Sequence, residues 1–457
     1  ASGLIGSFSG FRETGSFNYS GKRYISSVKV FNYSLQNNYP FKNIAEQGQP
    51  VINQTNAQQF QKGILVEQYF VPVKNQQLSF RYWYQQNKRH VPPLMMVVSN
   101  GAYQTDYFHR LTGEWQKTGN RTLWVIRTAY FNEALNFVVP KSFSDSVSRS
   151  HTIIGEAESK MHIASRYQLN LGLNNTFSTA SSSSYQHIPS LNRLGLFGSF
   201  KSLFLKERLI VTLSIRQELF DRKLLPVTPS LGLEYYFYNP FFVKATASRI
   251  YKVPTFNDLY WVPGGNPNLL PESGWTEDLT IGLKHTTKNE NFYTIGLTVF
   301  NSNINNWIQW LPRSGLVWSP ENVMKVWSRG IEANGKAVLN LNKWTFSAEG
   351  NFDYTVSTNE KVAVTHENEE GKQLIYVPYN KGSAGFFTSF KGFTLGLIQQ
   401  YTGFRYTTAD NNGYILPAFN ITNIQIGKSI TFKKIAINIS GRINNAGNEN
   451  YQVLAWR

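Results

Sequence analysis

The sequence contains no cysteine, which excludes a disulfide framework and any thiolate metal site. It contains no run of about 18 apolar residues, so no transmembrane helix is expected. No helical period of 3.6 persists, and no Pro/Gly/Ser linker divides the chain. No signal peptide opens it; Ala1-Ser2-Gly3 reads as a start in mid-chain. Acidic residues are scarce, 28 against 45 Lys and Arg, which leaves a formal charge of +17. That balance would suit nucleic acid, but the cations are scattered rather than gathered into a run, so nucleic acid is not expected as a partner. Scattered cations read instead as a basic lumen or rim facing anionic headgroups or an acidic segment. The seven histidines (His90, His109, His151, His162, His187, His285 and His366) make no metal-ligand spacing. No Gly-x-Ser-x-Gly elbow and no Asp-rich calcium loop occur. The reading is a non-enzyme with no cofactor and no metal. An acid–His pair assembled across loops stays open at this stage.

Aromatic residues are abundant: 11 Trp, 25 Tyr and 32 Phe. They favour strands and membrane interfaces. The dominant pattern has period 2. Leu209, Val211, Leu213 and Ile215 alternate with Ile210, Thr212, Ser214 and Arg216. Ile435, Ile437 and Ile439 alternate with Ala436, Asn438, Ser440 and Arg442, and Leu279, Ile281 and Leu283 with Thr280, Gly282 and Lys284. One apolar and one polar face is what a strand needs between lipid and a wet lumen. A soluble sandwich alternates too, so the connections must decide. Short ones fall near 21–22, 74–76, 118–120, 206–207, 239–240, 287–290, 340–343 and 427–429. Long ones fall near 38–61, 89–104, 134–150, 179–188, 252–273, 307–321, 359–372 and from 444 onward. The two kinds take turns, as short periplasmic turns and long outer loops do in an outer-membrane barrel.

The fold expected is therefore all-β, one large antiparallel transmembrane β-barrel spanning 1–457. It should show about 21 strands, and bacterial barrels close with an even number, so 22 are expected in the parent protein. Such a cylinder is on the order of 40 Å across, too wide for side chains to fill, and should carry a plug. The plug is expected before Ala1 and the closing strand after Arg457. A passive porin, with 16–18 strands and no plug, is the reading that strand count opposes.

Three segments carry a family resemblance. Lys252-Val253-Pro254, Asp258-Leu259-Tyr260 and Asn266-Pro267-Asn268-Leu269-Leu270-Pro271-Glu272 form the first. Trp327-Ser328-Arg329-Gly330-Ile331-Glu332 is the second, and Ile443-Asn444-Asn445 with Asn450-Tyr451 the third. Together they resemble the barrel of TonB-dependent receptors over essentially the whole chain. Two departures stand out: the plug with its TonB-contacting segment and the aromatic-ended last strand are not in the sequence. Trp307-Ile308-Gln309-Trp310-Leu311-Pro312 and Trp318-Ser319-Pro320 are further similar to cobalamin-type receptors of Bacteroidota, although siderophore and haem receptors share most of these features. The resemblance implies a Gram-negative outer-membrane location and energised import of a scarce nutrient. It implies as partners the TonB complex, membrane lipid and lipopolysaccharide, the nutrient ligand, and a surface lipoprotein.

Candidate ligand-binding residues are Tyr260, Trp261, Asn266, Asn268, Trp307, Trp310 and Trp318, all in or beside expected long loops. The aromatic ones could stack on a large ligand or belong to the interfacial belt. The asparagines could bond ligand or simply make turns. Arg216, Arg249, Lys252 and Arg442 are candidates for facing the lumen and pairing with a plug, with strand parity behind Arg216 and Arg442 only.

Overall fold

The computed structural model describes residues 1–140, 144–312, 317–362, 368–433 and 435–454. Strands run in from the start: β1 (Ser2–Gly6), β2 (Gly10–Ser20), β3 (Tyr24–Leu35), β4 (Gln59–Phe70), β5 (Gln76–His90), β6 (Tyr103–Thr118) and β7 (Thr122–Val139). Next come β8 (Ser144–Ala164), β9 (Tyr167–Ser182), β10 (Ser190–Phe204), β11 (Leu209–Phe220), β12 (Thr228–Tyr238), β13 (Phe241–Lys252) and β14 (Glu272–Thr286). The last are β15 (Phe292–Pro312), β16 (Trp318–Leu341), β17 (Trp344–Lys361), β18 (Asn380–Phe390), β19 (Phe393–Thr402), β20 (Phe419–Phe432) and β21 (Ile435–Ile443). They form one 22-stranded antiparallel sheet in which one member is only the two-residue step Lys223–Leu224, so 21 full strands remain. Each full strand pairs with its neighbours in sequence, the first and the last having one partner each. Among the described residues no helix is long and apolar enough to cross a membrane.

The connections sort by end. At one end they are 21–23, 71–75, 119–121, 165–166, 205–208, 239–240, 287–291, 342–343, 391–392 and 433–434. At the other, apart from 7–9, 140–143 and 313–317, they are longer, reaching 36–58, 91–102, 253–271 and 403–418. Three expectations need correction. Residues 427–429 lie inside β20, because the alternation of Ile424, Ile426 and Ile430 carries on past them to a turn after Phe432. Much of 134–150 and of 307–321 is strand: β7 and β8 stay in register up to Val139 and Ser144, and β15 and β16 up to Pro312 and Trp318. Above the membrane both faces of a ribbon are wet, so its sequence loses the apolar row that marks a strand. Parts of the expected loops, 141–143, 313–316, 363–367 and 455–457, lie outside the described residues, as does His366.

Residues directly opposite each other in an antiparallel pair share a face. Leu213 and Ile215 therefore share the outer face with Leu231 and Gly198, and in the isolated chain both are about half exposed (50% and 55%). Ring pairs gather on that face near the short turns: Trp344 on Phe390 at 4.4 Å, Tyr167 on Phe200 at 5.8 Å, Phe237 on Phe241 at 6.2 Å. Higher up, Tyr82 bonds His109 Nδ1 at 2.9 Å and Tyr130 bonds His151 Nδ1 at 3.0 Å. Two rows of aromatic rings bound the apolar band, as interfacial girdles do. The inner wall is polar. Some of its large side chains lie flat across a neighbouring strand: a Cβ on Gly172 would sit 2.2 Å from Phe197 Cζ, so the ring needs a glycine beneath it.

Candidate functional site

The connection 253–271 leaves β13 after Lys252 and, past Pro254, folds into a short helix, α1 (Phe256–Tyr260). No helical period foretells so short an element; its start is set by a capping box. Thr255 Oγ1 accepts the Asp258 N–H at 3.2 Å, and Asp258 Oδ2 accepts the Thr255 N–H at 2.8 Å. The other oxygen of this buried carboxylate accepts Trp310 Nε1–H at 3.0 Å, which ties the helix to β15. Beyond α1, Asn266 donates to the Pro320 carbonyl at 3.1 Å and accepts the Asn268 N–H at 3.0 Å. Asn322 accepts the Leu270 N–H at 2.7 Å and donates to the Leu270 and Asn306 carbonyls. Glu272 is almost fully buried; it accepts the Ile308 N–H at 3.0 Å and pairs with Lys252 at 3.3 Å. Gly264 adopts φ +122, and a Cβ there would stand 2.0 Å from the Trp318 carbonyl oxygen. The segment is thus stapled to the β15–β16 hairpin by residues drawn largely from the motif that marked it in the sequence.

This fixes where the candidates stand. Trp307, Trp310 and Trp318 are on strands rather than in a loop. Trp307 follows a register shift at which Asn306 has φ +58. The indole N–H of Trp310 and the side chain of Asn266 are engaged inside the protein, whereas Asn268 is exposed and bonds Asn266 through its backbone N–H. Trp318 is 55% exposed and Trp261 37%. Tyr260 ends α1, with its ring edge-on to His187 at 5.7 Å. Burial, and then the charge of Asp221, raise its phenol above the ordinary value.

The structure brings Trp261 to a cavity of about 470 Å³ on the lumen side. Its wall is the upper inner face of β5–β8: Arg89, Gln104, Asp106, Phe108 and Glu133. Its roof is Tyr185, Phe256, Asn257 and Trp261. Tyr185 Oη donates to Asn257 Oδ1 at 2.5 Å, and the Val262 N–H donates to the Ser184 carbonyl at 2.8 Å, so the roof is anchored to the β9–β10 connection. Burial raises the Tyr185 phenol, with the charge of Asp258 adding to it. Asp106, buried, accepts Gln104 Nε2 at 2.6 Å and pairs with Arg89 at 3.3 Å. An apolar roof over a polar, bidirectional floor can stack on a large ligand and orient it by hydrogen bonds. Of the wall and roof, sequence reading named only Trp261. The available signal for the rest was an acid, Asp106, in a lumen position of a chain poor in acids.

Among the cationic candidates, Arg216 is on the lumen face and bonds Glu218 and Asn174 Oδ1, the latter at 2.8 Å. Glu218, fully buried, also takes Arg193 at 2.7 Å. Lys252 and Arg442 fall on the lumen face by register, opposite Glu272 and Gln425. Arg249 does not: it stands opposite Trp275, on the face of Leu279 and Ile281. That is the outer surface, at the strand's upper end, where a long cation reaches headgroups.

Comparison with known proteins bears on this arrangement. Residues 6–446 match the family described as TonB dependent receptor-like, beta-barrel. The chain belongs to this family. The receptor barrel is accordingly an outer-membrane protein of Gram-negative type. It is 25% identical over 212 residues to the vitamin B12 transporter BtuB of Vibrio vulnificus, covering 46% of this chain and 31% of the relative. It is 27% identical over 215 residues to that of Photobacterium profundum, covering 46% and 32%. The chain thus spans about a third of the length of the curated relatives it matches. Among solved structures, the FrpB iron transporter of Neisseria meningitidis superposes with a TM-score of 0.79 at 10% identity, over 99% of this chain and 77% of that one. The ferric enterobactin receptor PfeA of Pseudomonas aeruginosa gives 0.76 at 14%, over 98% and 74%. These two carry the fold alone.

Proposed function

We propose that the protein from which this barrel comes is an active-transport receptor that captures a corrinoid, cobalamin above all, at its outer end and passes it to the periplasm with energy delivered through TonB. The observation that carries the substrate is the sequence likeness to vitamin B12 transporters across nearly half of the chain. The roofed cavity supports it in kind, since aromatic planes above a hydrogen-bonding floor suit a large, amphipathic, flat-faced ligand. Capture of a scarce nutrient needs a low dissociation constant, on the order of nanomolar or −12 kcal/mol. A plug, a 22nd strand closing the barrel, contacts with lipopolysaccharide and a surface lipoprotein cap belong to the same reading, as does the absence of catalysis. Relatives about three times longer than the matched region support a larger parent protein. A ferric siderophore or haem is the second reading, favoured by the iron-receptor neighbours in fold.

Calorimetric titration of the detergent-purified full-length receptor with cyanocobalamin tests the first reading. Saturable one-to-one binding is expected, weakened at least tenfold by Trp261→Ala. A folded receptor that gives no heat with cyanocobalamin but binds a ferric siderophore or haem would replace the corrinoid by the second reading.

A further inference from the structure

The outer surface of β17–β21 is not smooth. Near the short-turn end it holds a crevice of about 700 Å³, walled by Trp344, Phe390, Phe393, Leu395, Ile426 and Ile439. All six share the lipid-facing register. Thr388 and Gly441, on the same face, are small and leave the floor low. At its lower edge the apolar pattern breaks. Lys428 occupies a lipid-facing position between Ile426 and Ile430, opposite Phe393 and Ile439. Its ammonium lies 3.6 Å from the Phe393 ring centroid and donates at 2.8 Å to the carbonyl of Lys391, in the turn below. Lys391 and Lys433 stand exposed at the two turns that flank it. No ion pair to a carboxylate is found for any of these three lysines among the described residues.

A lysine on a lipid face is costly unless its stem lies along apolar surface and its head reaches the interface. Lys428 meets that condition by bending towards the turn. The bend still leaves it two N–H donors. It also brings the ammonium to the turn that carries Lys391, whose own ammonium lies over the Phe390 ring of the crevice wall and has no ion pair to a carboxylate among the described residues. A phospholipid of the periplasmic leaflet would supply what is missing, an acyl chain for the crevice and a phosphate for the lysines. We propose that this crevice is a binding site for one anionic phospholipid of the inner leaflet, with the chain between the Trp344–Phe390–Phe393 wall and Ile426–Ile439 and the phosphate held by Lys428 and Lys391. Zwitterionic lipid should bind less well, because its own ammonium repels the cluster.

The test uses the full-length receptor in nanodiscs containing equal parts of phosphatidylglycerol and phosphatidylethanolamine, followed by mild detergent extraction and native mass spectrometry of retained lipid. Wild type is expected to hold one phosphatidylglycerol at least fivefold in preference to phosphatidylethanolamine. Lys428→Gln with Lys391→Gln should abolish the preference, whereas Lys288→Gln, at a different short turn, should keep it. Gly441→Leu should fill the crevice and lower retention of both lipids while sparing the charge cluster. Equal retention of the two lipids by wild type, or an unchanged preference in the double variant, would overturn the proposal. Heat-modified mobility on gels identifies any variant that has not folded. Since Gly441→Leu leaves the lysines intact and the lysine variants leave the apolar wall intact, loss of folding in one still leaves the other decisive.

Discussion

At the scale of single residues, the receptor's outer end uses its polar side chains to hold backbone in place. Tyr185 shows how this links to pH. Its phenol bonds Asn257 in the roof, and burial, then Asp258, disfavour the phenolate. The folded value is raised, so the bond contributes fully below the unfolded value of about 10 and is lost only as pH climbs through the higher folded value. Tyr185→Phe should cost the roof about 1 kcal/mol at neutral pH. In an ultraviolet titration one late-ionising phenol should vanish; an unchanged titration would show that Tyr185 is not held this way. Loop position and aromatic type were enough to single out Trp261, which lines the roofed cavity. Sequence reading could not separate Trp310 or Asn266 from ligand contacts, because whether an indole N–H meets Asp258 or a ligand depends on chain brought together across about 50 residues. Arg249 fell on the opposite face because its position relative to Trp275 is fixed by register, which one strand alone does not reveal.

Among elements, those within the membrane were legible and those above it were not. The alternation of Leu213 and Ile215 with Ser214 and Arg216 marks a wall between lipid and water. The paired reaches above it, up to Val139 on β7 and from Trp318 on β16, have water on both sides and read as loops. The helix α1 was invisible to periodicity, being five residues long, although its Thr255–Asp258 box can be read once sought. Thr255→Ala should remove about 1 kcal/mol from this cap. Faster amide exchange is expected over 256–270, while the thermal transition of the barrel stays in place. Should exchange there match wild type, the ties to Asn322 and Pro320 would be what holds the segment.

Across the whole molecule, the +17 charge is distributed rather than neutralised, and its local balance is sharpest on the inner wall of β6–β9. There Arg127 is shared by Glu114 at 2.8 Å, Glu156 at 2.5 Å and Glu158 at 3.0 Å, with Asn170 and Lys160 also on Glu158. Arg127→Met would leave three carboxylates facing one another. The melting temperature in detergent should fall, and adding Glu158→Gln should restore part of the loss; a melt identical to wild type would show the cluster to be energetically idle. The pairing plan itself has a kinetic meaning. Every ladder of the large sheet joins strands that follow each other along the chain, across connections of at most 23 residues. The entropy of closing such connections rises only slowly with their length, and local pairing favours rapid folding. Each strand can therefore register on the one just formed, so that assembly advances along the sequence like a zip, with a misplaced strand disturbing its two neighbours before any distant part of the wall.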